Sequence, residues 1–429
     1  MTQLSRRGFL AAAGTVSVGA LSACGSNSSG SSSDAVELTV MAWADAGQAE
    51  RYEQEFATFT EKNPDIAVSL EWMDVGSYQD KLNTLFAAGD PPDVMFMVGR
   101  WLGEYATRGV LADLSASDQL DFSTMNSGLL LQGQYQGAQY AVPTGSTAIA
   151  MIYNTRIVAD AGLELPDDRT WTWADYAEFN AQIYDATGVH GAGFYVPWLP
   201  TITQYTRQHG QDLFTTDGTL GVSGETITEY FQMITDMRTT GAFAPPGSLE
   251  DNGTSVEQSP LGRDFIASQI IPSNTFGDYN SVMGGDLVLR RLPGETEGPR
   301  PGYTVTPTLL WCQAEASEHP AEAARLIDFL TNDPDSFAAR STLLGVPINA
   351  DVAEEVSTGL DEDAQEFVDF TVALQEEELA PYEMEPAGAG EVQNILVSLS
   401  TEVEFERMTP QQAGEEFMSQ AGAALEDAG

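Results

Sequence analysis

The chain has 429 residues, of which 42% are hydrophobic and 19% charged, and it carries a formal net charge of −46 at pH 7. It is too long for one ordinary hydrophobic core and its composition is globular, so we expect two domains or lobes. Such a strongly negative charge argues against nucleic acid as a partner, and it disfavours polyanionic ligands and anionic lipid surfaces.

The N-terminal segment has the pattern of an export signal followed by a tether. A twin-arginine motif at Ser5–Leu10 precedes an apolar run, which ends in small residues directly before Cys24. The run is too short for a stable membrane span, and the Ser/Gly/Asn stretch after it is typical of a flexible linker. We therefore expect a signal peptide (1–23) and a tether (24–34) lipidated at Cys24. The protein would be exported and anchored to the outer face of the cytoplasmic membrane; a generic signal with a chance cysteine is the alternative.

Strands and helices alternate in the sequence that follows. In Val36–Trp43, apolar and polar residues alternate and are followed by consecutive apolar residues, which indicates a first core strand. The next helix carries Tyr52, Phe56 and Phe59 on one face, and Ile66–Trp72 reads as a second strand. Two further helices and a short strand are predicted at Tyr78–Ala88, Trp101–Arg108 and Val94–Val98. This order predicts an α/β fold with a parallel or mixed sheet.

Tyr140–Asn154 is the stretch around which the chain is organised. Pro143 and Gly145 interrupt regular structure, and Thr147–Tyr153 is apolar and β-compatible, as in a strand buried on both faces. The stretch is either a crossing between two lobes or an ordinary loop leading into a core strand.

Several segments together resemble a known family. Early landmarks are Gly89–Val94, Tyr105-Ala106, Gly109–Leu114 and Tyr140–Asn154; later ones are Trp171–Trp173, His319–Leu330, Gly345–Asn349 and Met408–Ala413. In this order, over roughly residues 37 to 425, they resemble the extracellular solute-binding proteins of carbohydrate ABC importers, the maltose-binding protein family.

The resemblance implies a two-lobed, type II periplasmic-binding-protein-like α/β fold, in which each lobe is a mixed sheet flanked by helices. One lobe would comprise 35–143 plus 303–345, and the other 144–302 plus 346–429. The three hinge crossings would lie at Tyr140–Thr147, Gly302–Val305 and Gly345–Asn349.

Motifs of enzymes and metal sites are missing from the sequence. It contains no Gly-x-Ser-x-Gly and no His-Glu-x-x-His, and its three histidines share no metal-ligand spacing. We therefore expect no catalysis, metal or cofactor. A glycosidase needs only two carboxylates at a defined separation, so an exported polysaccharide hydrolase stays an alternative.

The resemblance also implies a sugar site between the lobes. Such sites combine flat aromatic rings with groups that donate or accept in planar pairs. The implied ligand-binding residues are Trp43, Asp45, Gly99, Arg100, Trp101, Ser146, Thr147, Tyr195, Trp198 and Phe276. For each aromatic residue the alternative is core packing.

The expected function is capture of a sugar or oligosaccharide by a monomeric binding protein and its delivery to the permease subunits of an ABC importer. A rival keeps the fold but binds another small solute, such as a glycerol phosphate. That rival needs several positive groups in the cleft, for which Arg100 and Arg207 are the nearby candidates.

Replacing Cys24 with Ala should move the protein from the membrane fraction to the medium, because the variant has no thiol to lipidate. Fractionation and immunoblotting of cells that export either form would measure this. A variant that stays in the membrane fraction would contradict the lipid-anchor prediction.

Overall fold

The computed structural model describes residues 35–193, 198–248, 256–375, 377 and 385–428. The predicted signal peptide, the tether with Cys24, and Tyr195 lie outside the described residues. Within these ranges, no helix has the length and apolar composition needed to cross a lipid bilayer.

The described part of the chain has the α/β character predicted from its sequence. The strands are β1 (Val36–Trp43), β2 (Ile66–Met73), β3 (Val94–Met97), β4 (Gln134–Tyr135), β5 (Ala138–Gln139), β6 (Ala141–Pro143), β7 (Ser146–Thr147), β8 (Ile149–Asn154), β9 (His190–Gly193), β10 (Ile266–Pro272), β11 (Leu287–Arg290), β12 (Thr306–Pro307) and β13 (Leu310–Gln313). The α-helices are α1 (Ala46–Lys62), α2 (Val75–Ala88), α3 (Gly99–Thr107), α4 (Ser127–Leu130), α5 (Thr155–Asp160), α6 (Trp173–Thr187), α7 (Leu199–Gln208), α8 (Gly224–Thr239), α9 (Phe276–Val282), α10 (Pro320–Asn332), α11 (Pro334–Arg340), α12 (Ala350–Val356), α13 (Glu362–Gln375), α14 (Ala389–Glu404) and α15 (Pro410–Ala428).

The first lobe is built on a five-stranded sheet in the order β2-β1-β3-β13-β6. β1 runs parallel to β2 and β3, whereas β13 runs antiparallel to β3 and β6, so the sheet is mixed. Helices α1, α2 and α10 contact its strands. Trp311 of β13 is fully buried, with its ring centroid 4.3 Å from that of Phe96 in β3. Burial on both faces explains the continuous apolar sequence of these strands.

The second lobe is built on a four-stranded sheet in the order β11-β8-β10-β9. β8 is antiparallel to both of its neighbours, and β9 is parallel to β10. Helices α5, α6 and α13 contact the strands, while α8, α14 and α15 pack together beside them. Helix α12 packs on α11 of the first lobe, although the lobe range expected from the sequence assigns it to the second.

Three chain segments that join the lobes meet at Ser146. Strand β7 pairs antiparallel with β12, which places Ser146 opposite Pro307. Ser146 also exchanges two backbone hydrogen bonds with Val346, of 2.7 and 2.9 Å. The segment expected for the second crossing, Gly302–Val305, ends directly before β12. Hydrogen bonding between the three segments makes them one structural unit, which we call the hinge junction (Gly145–Thr147, Thr306–Thr308 and Gly345–Val346).

A buried ion pair ties the hinge junction to the first lobe. Glu55 of α1 and Arg340 of α11 are paired and are 0% and 3% exposed. Burial raises the pKa of Glu55, and the charge of Arg340 opposes that shift. Arg340 also donates to the carbonyl oxygen of Thr144 at 3.2 Å. The pair therefore fixes the point at which the first crossing leaves its lobe.

Two glycines permit the close approach of the crossing segments. A Cβ on Gly145 would lie 2.2 Å from the carbonyl oxygen of Leu344. A Cβ on Gly345 would lie 2.3 Å from Thr308 Oγ1 and 2.5 Å from the carbonyl oxygen of Ser146. Gly345 also has φ of +92°, where side chains are rarely tolerated. Both positions therefore require glycine.

Gly345→Ala should lower the free energy of unfolding by about 2 kcal/mol or more, because it adds backbone strain and steric overlap at the hinge junction. Chemical denaturation would measure this change. Gly359→Ala is the matched control, since a Cβ there meets nothing within 4 Å; we expect a change within about 0.5 kcal/mol. Equal unfolding midpoints for the two variants would contradict the steric argument.

Candidate functional site

A cavity of about 430 Å³ lies between the two lobes and against the hinge junction. One wall comes from the ends of β1 and β3 and the start of α1 in the first lobe. The opposite wall comes from α7 and from the end of β10 in the second lobe. Hydroxyl groups of the hinge region close the floor, namely those of Thr147, Thr304, Thr306 and Thr308.

Trp43 lies in the first-lobe wall, which also contains the aromatic residue Tyr52. Trp43 ends β1, at the carboxyl edge where open α/β sheets place their ligands. Its ring meets Tyr78 edge-on at 4.9 Å and lies 5.5 Å from Phe96. The Tyr78 hydroxyl donates to the carbonyl oxygen of Phe96 at 2.8 Å, which holds this support in place. Trp43 is therefore fixed by core rings on one side while it lines the cavity.

The start of α3 forms the adjoining part of that wall. Gly99 and Arg100 line the cavity, and the Arg100 guanidinium lies 5.2 Å from the ring centre of Trp101. Trp101 itself is 8% exposed and meets Trp43 edge-on at 5.9 Å. Trp101 thus supports two lining residues from behind.

One face of α7 forms the second-lobe wall. Trp198 directly precedes the helix, and Pro200, Thr203, Gln204 and Arg207 line the cavity at helical spacing. The remaining faces bury apolar residues: Leu199, Ile202 and Tyr205. The sequence predicted Trp198 as a ligand-binding residue and Arg207 as a candidate positive group, but not the polar face of α7 as a whole. The three- and four-residue spacing of these side chains was the available signal.

Charged side chains in the cavity are balanced. Among the described lining residues, two are arginines (Arg100 and Arg207) and two are acids (Asp212 and Glu385). Arg207 Nε lies 3.6 Å from an Asp212 oxygen, and Arg300 contacts the same carboxylate. Burial raises the pKa of Glu385, and the positive charge of Arg100 opposes the shift. The described lining residues therefore carry no net charge when all four groups are ionised.

Five of the ten expected ligand-binding residues line the cavity: Trp43, Gly99, Arg100, Thr147 and Trp198. Tyr195 lies outside the described residues. The structure places the other four away from the cavity surface, and each has a structural role there.

Asp45 caps α1 by accepting from the Gln48 amide at 2.9 Å. Ser146 is fully buried in the hinge junction, where its hydroxyl accepts from Gln375 at 3.1 Å. Trp101 is the buried support described above. Phe276 is fully buried in the second-lobe core with Ile152 and Phe367. These four side chains pack in a core or cap a helix. An aromatic or polar residue near a strand end can do either of these or face a cleft, and the sequence pattern does not distinguish the cases.

An ion pair also joins the lobes outside the cavity lining. Arg51 of α1 lies 3.3 Å from Asp278 of α9, and both side chains are roughly half-exposed. Exposed pairs of this kind contribute about 0–1 kcal/mol. Across the described residues, no three His, Cys, Asp or Glu side chains are grouped as metal ligands.

Two lobes joined by three adjacent crossings, with a cavity lined from both sides, define the class of two-lobed, type II periplasmic binding proteins. The chain belongs to the bacterial extracellular solute-binding proteins, whose family model matches residues 44–335. The family predicted from the sequence motifs is therefore confirmed.

Individual proteins show the same relationship. The chain is 25% identical over 318 residues to a protein named as a binding protein in Brucella abortus, covering 70% of this chain and 73% of that one. It is 24% identical over 288 residues to the arabinooligosaccharide-binding protein of Bacillus subtilis, covering 65% of each. An oligogalacturonide-binding protein from Yersinia enterocolitica, solved with digalacturonic acid, superposes with a TM-score of 0.80 at 21% identity, over 92% of this chain and 99% of the other. This last likeness establishes the fold.

Trp198→Ala should weaken sugar binding by more than tenfold, since an aromatic lost from a desolvated site costs roughly 2 kcal/mol or more. Trp43→Ala should weaken binding similarly and also lower the free energy of unfolding by about 3 kcal/mol, because Trp43 packs on core rings. Calorimetric titration and melting curves would measure both effects.

The control for these variants is Trp72→Ala, whose side chain is 41% exposed on β2 and does not line the cavity. We expect its binding to match the wild type. Unchanged affinity in Trp43→Ala and Trp198→Ala, with large losses of melting temperature, would mean that both rings only pack the lobes.

Proposed function

We propose that the protein binds a neutral sugar or oligosaccharide outside the cytoplasm and delivers it to the permease subunits of an ABC importer, with no chemical conversion. The observation that carries the proposal is the interlobe cavity, in which Trp43 and Trp198 face the same space from different lobes. Pyranose rings present apolar C–H faces and rims of hydroxyl groups, which suit aromatic faces and hydroxyl or amide side chains.

The charge balance of the cavity favours a neutral ligand over the glycerol phosphate alternative. A phosphate site needs positive groups that are free to pair with the ligand. Arg207 already lies near Asp212, and Glu385 lines the same cavity as Arg100. A small anion would therefore meet carboxylates together with the arginines.

Hydrolysis is also disfavoured by the arrangement of the acids. Glycosidases use two carboxylates, one as acid and one as base or nucleophile. Asp212 is already paired with both Arg207 and Arg300, so it is not a free carboxylate on the cavity surface. The lining residues thus favour binding over catalysis.

Delivery requires that the bound state be distinguishable from the empty state. A ligand that contacts both walls favours the closed arrangement of the lobes, because only in that arrangement can it contact both walls at once. The hinge junction provides the flexible connection. Lipidation at Cys24 would hold this monomeric carrier at the membrane surface, close to the permease.

Maltotriose and arabinotriose test the ligand class, with digalacturonate as the anionic comparison. At a concentration of 100 times its dissociation constant, a bound neutral sugar should add about 2.7 kcal/mol of stability, which raises the melting temperature. Digalacturonate should have no such effect, because its carboxylates would face Asp212 and Glu385.

Small-angle scattering with the same sugars should give a smaller radius of gyration for the bound protein. Stabilisation by digalacturonate alone would instead indicate an anion-binding site. An unchanged scattering profile at saturating sugar would contradict closure of the lobes.

A further inference from the structure

Glu385 is a cavity-lining acid that the hinge junction and the lobe cores do not use. It lies shortly before α14, which packs with α8 and α15 in the second lobe. Arg100 lies in the first turn of α3 in the first lobe, and α3 and α14 contact each other across the lobes. The two opposite charges therefore line one cavity from different lobes.

Neither group is held by a structural partner. In the part of the chain that the structure describes, the Arg100 guanidinium contacts the face of Trp101. The pKa of Glu385 is affected by its burial and by the charge of Arg100. Glu385 is partly buried, whereas the fully buried acid Glu55 is bonded to Ser336 and Arg340. A carboxylate withdrawn from water without donors is costly. Among the described residues, no hydrogen-bond donor to Glu385 is found, so its carboxylate is open to donors from a ligand in the cavity.

We propose that Glu385 is a specificity-determining residue of the site, whose carboxylate accepts hydrogen bonds from two adjacent hydroxyl groups of the sugar while Arg100 donates to the same ligand from the other lobe. The inference rests on the proposed function, because it takes the ligand to be a sugar. A carboxylate offers two acceptor oxygens in one plane, which matches a vicinal diol. The site would select sugars with two free neighbouring hydroxyls at this position.

This role predicts opposite pH effects on binding and on folding. Burial raises the pKa of Glu385, so its carboxyl group becomes protonated at a higher pH than an ordinary glutamate does. Protonation removes charge-assisted acceptance, so sugar affinity should fall as the pH falls through that pKa. The empty protein should instead become more stable, because a carboxyl group with a raised pKa destabilises the fold when it is ionised. Arg100 is the charge that acts on Glu385 across the cavity, while Arg207 and Asp212 on the lining are paired with each other.

Glu385→Gln separates a ligand-binding role from a structural one. Titration with maltotriose and with arabinotriose should give a dissociation constant about ten- to a hundredfold higher for the variant. The pH dependence of its affinity should lose the part in which binding weakens on acidification, because the glutamine side chain does not titrate. The melting temperature of the empty variant should equal or exceed that of the wild type, since a buried charge has been removed.

The matched control is Glu391→Gln, an exposed acid in the first turn of α14, which should leave affinity and its pH profile unchanged. Wild-type affinity in Glu385→Gln would overturn this inference and leave the proposed function standing. A marked loss of melting temperature in the empty variant would also overturn it, because Glu385 would then be structural. If the wild type bound neither sugar, the proposed function and this inference would both fail.

Discussion

The hydrogen-bonded junction of three chain crossings at Ser146 is the constraint on which the rest of the structure depends. Its two backbone bonds with Val346 and its pairing opposite Pro307 join segments that are far apart in sequence. Because three segments between the lobes are hydrogen-bonded to one another here, the junction constrains the separation of the lobes and the axis about which they can turn. The cavity lies directly against it, so the same residues that permit motion also form part of the binding surface.

The two sides of the junction are anchored differently. On the first-lobe side, the Glu55–Arg340 pair is buried, and Arg340 reaches the Thr144 carbonyl oxygen. Breaking such a pair would leave an uncompensated buried charge, so this side of the hinge is strongly defined. On the second-lobe side, the backbone amide of Ala148 donates a hydrogen bond to the Ser273 hydroxyl at 3.2 Å. This bond joins two uncharged groups. One side of the junction is therefore anchored by a buried ion pair and the other by neutral hydrogen bonds. This arrangement suits a hinge in which the pairing of the crossing segments is kept while the lobes move.

Charge is distributed in two distinct ways in this protein. The chain carries a formal net charge of −46, yet positive and negative groups are equal in number among the described residues that line the cavity. A strongly negative exterior favours solubility and suppresses self-association. Inside the cavity, where water is partly excluded, an unbalanced charge would be far more costly and would repel ligands of one sign. The overall charge of the sequence therefore describes the surface and says little about the ligand.

The sequence by itself determined the alternation of strands and helices, the first strand at Val36–Trp43, and the family. These features rest on local patterns: apolar periodicity, glycine and proline at turns, and short motifs in a fixed order. Gly145 and Gly345 lie where segments distant in sequence approach closely, a requirement that only the packed structure shows.

Only the tertiary structure decided which side chains reach the cavity. Trp43 and Trp101 are both aromatic residues near strand ends, but the packing of α3 buries the second behind the first. Glu385 is one of 64 acids, and its sequence neighbours give no reason to select it. It lines the cavity because two lobes, distant in sequence, meet there. Exposure to a cleft depends on long-range packing, which local sequence patterns do not encode.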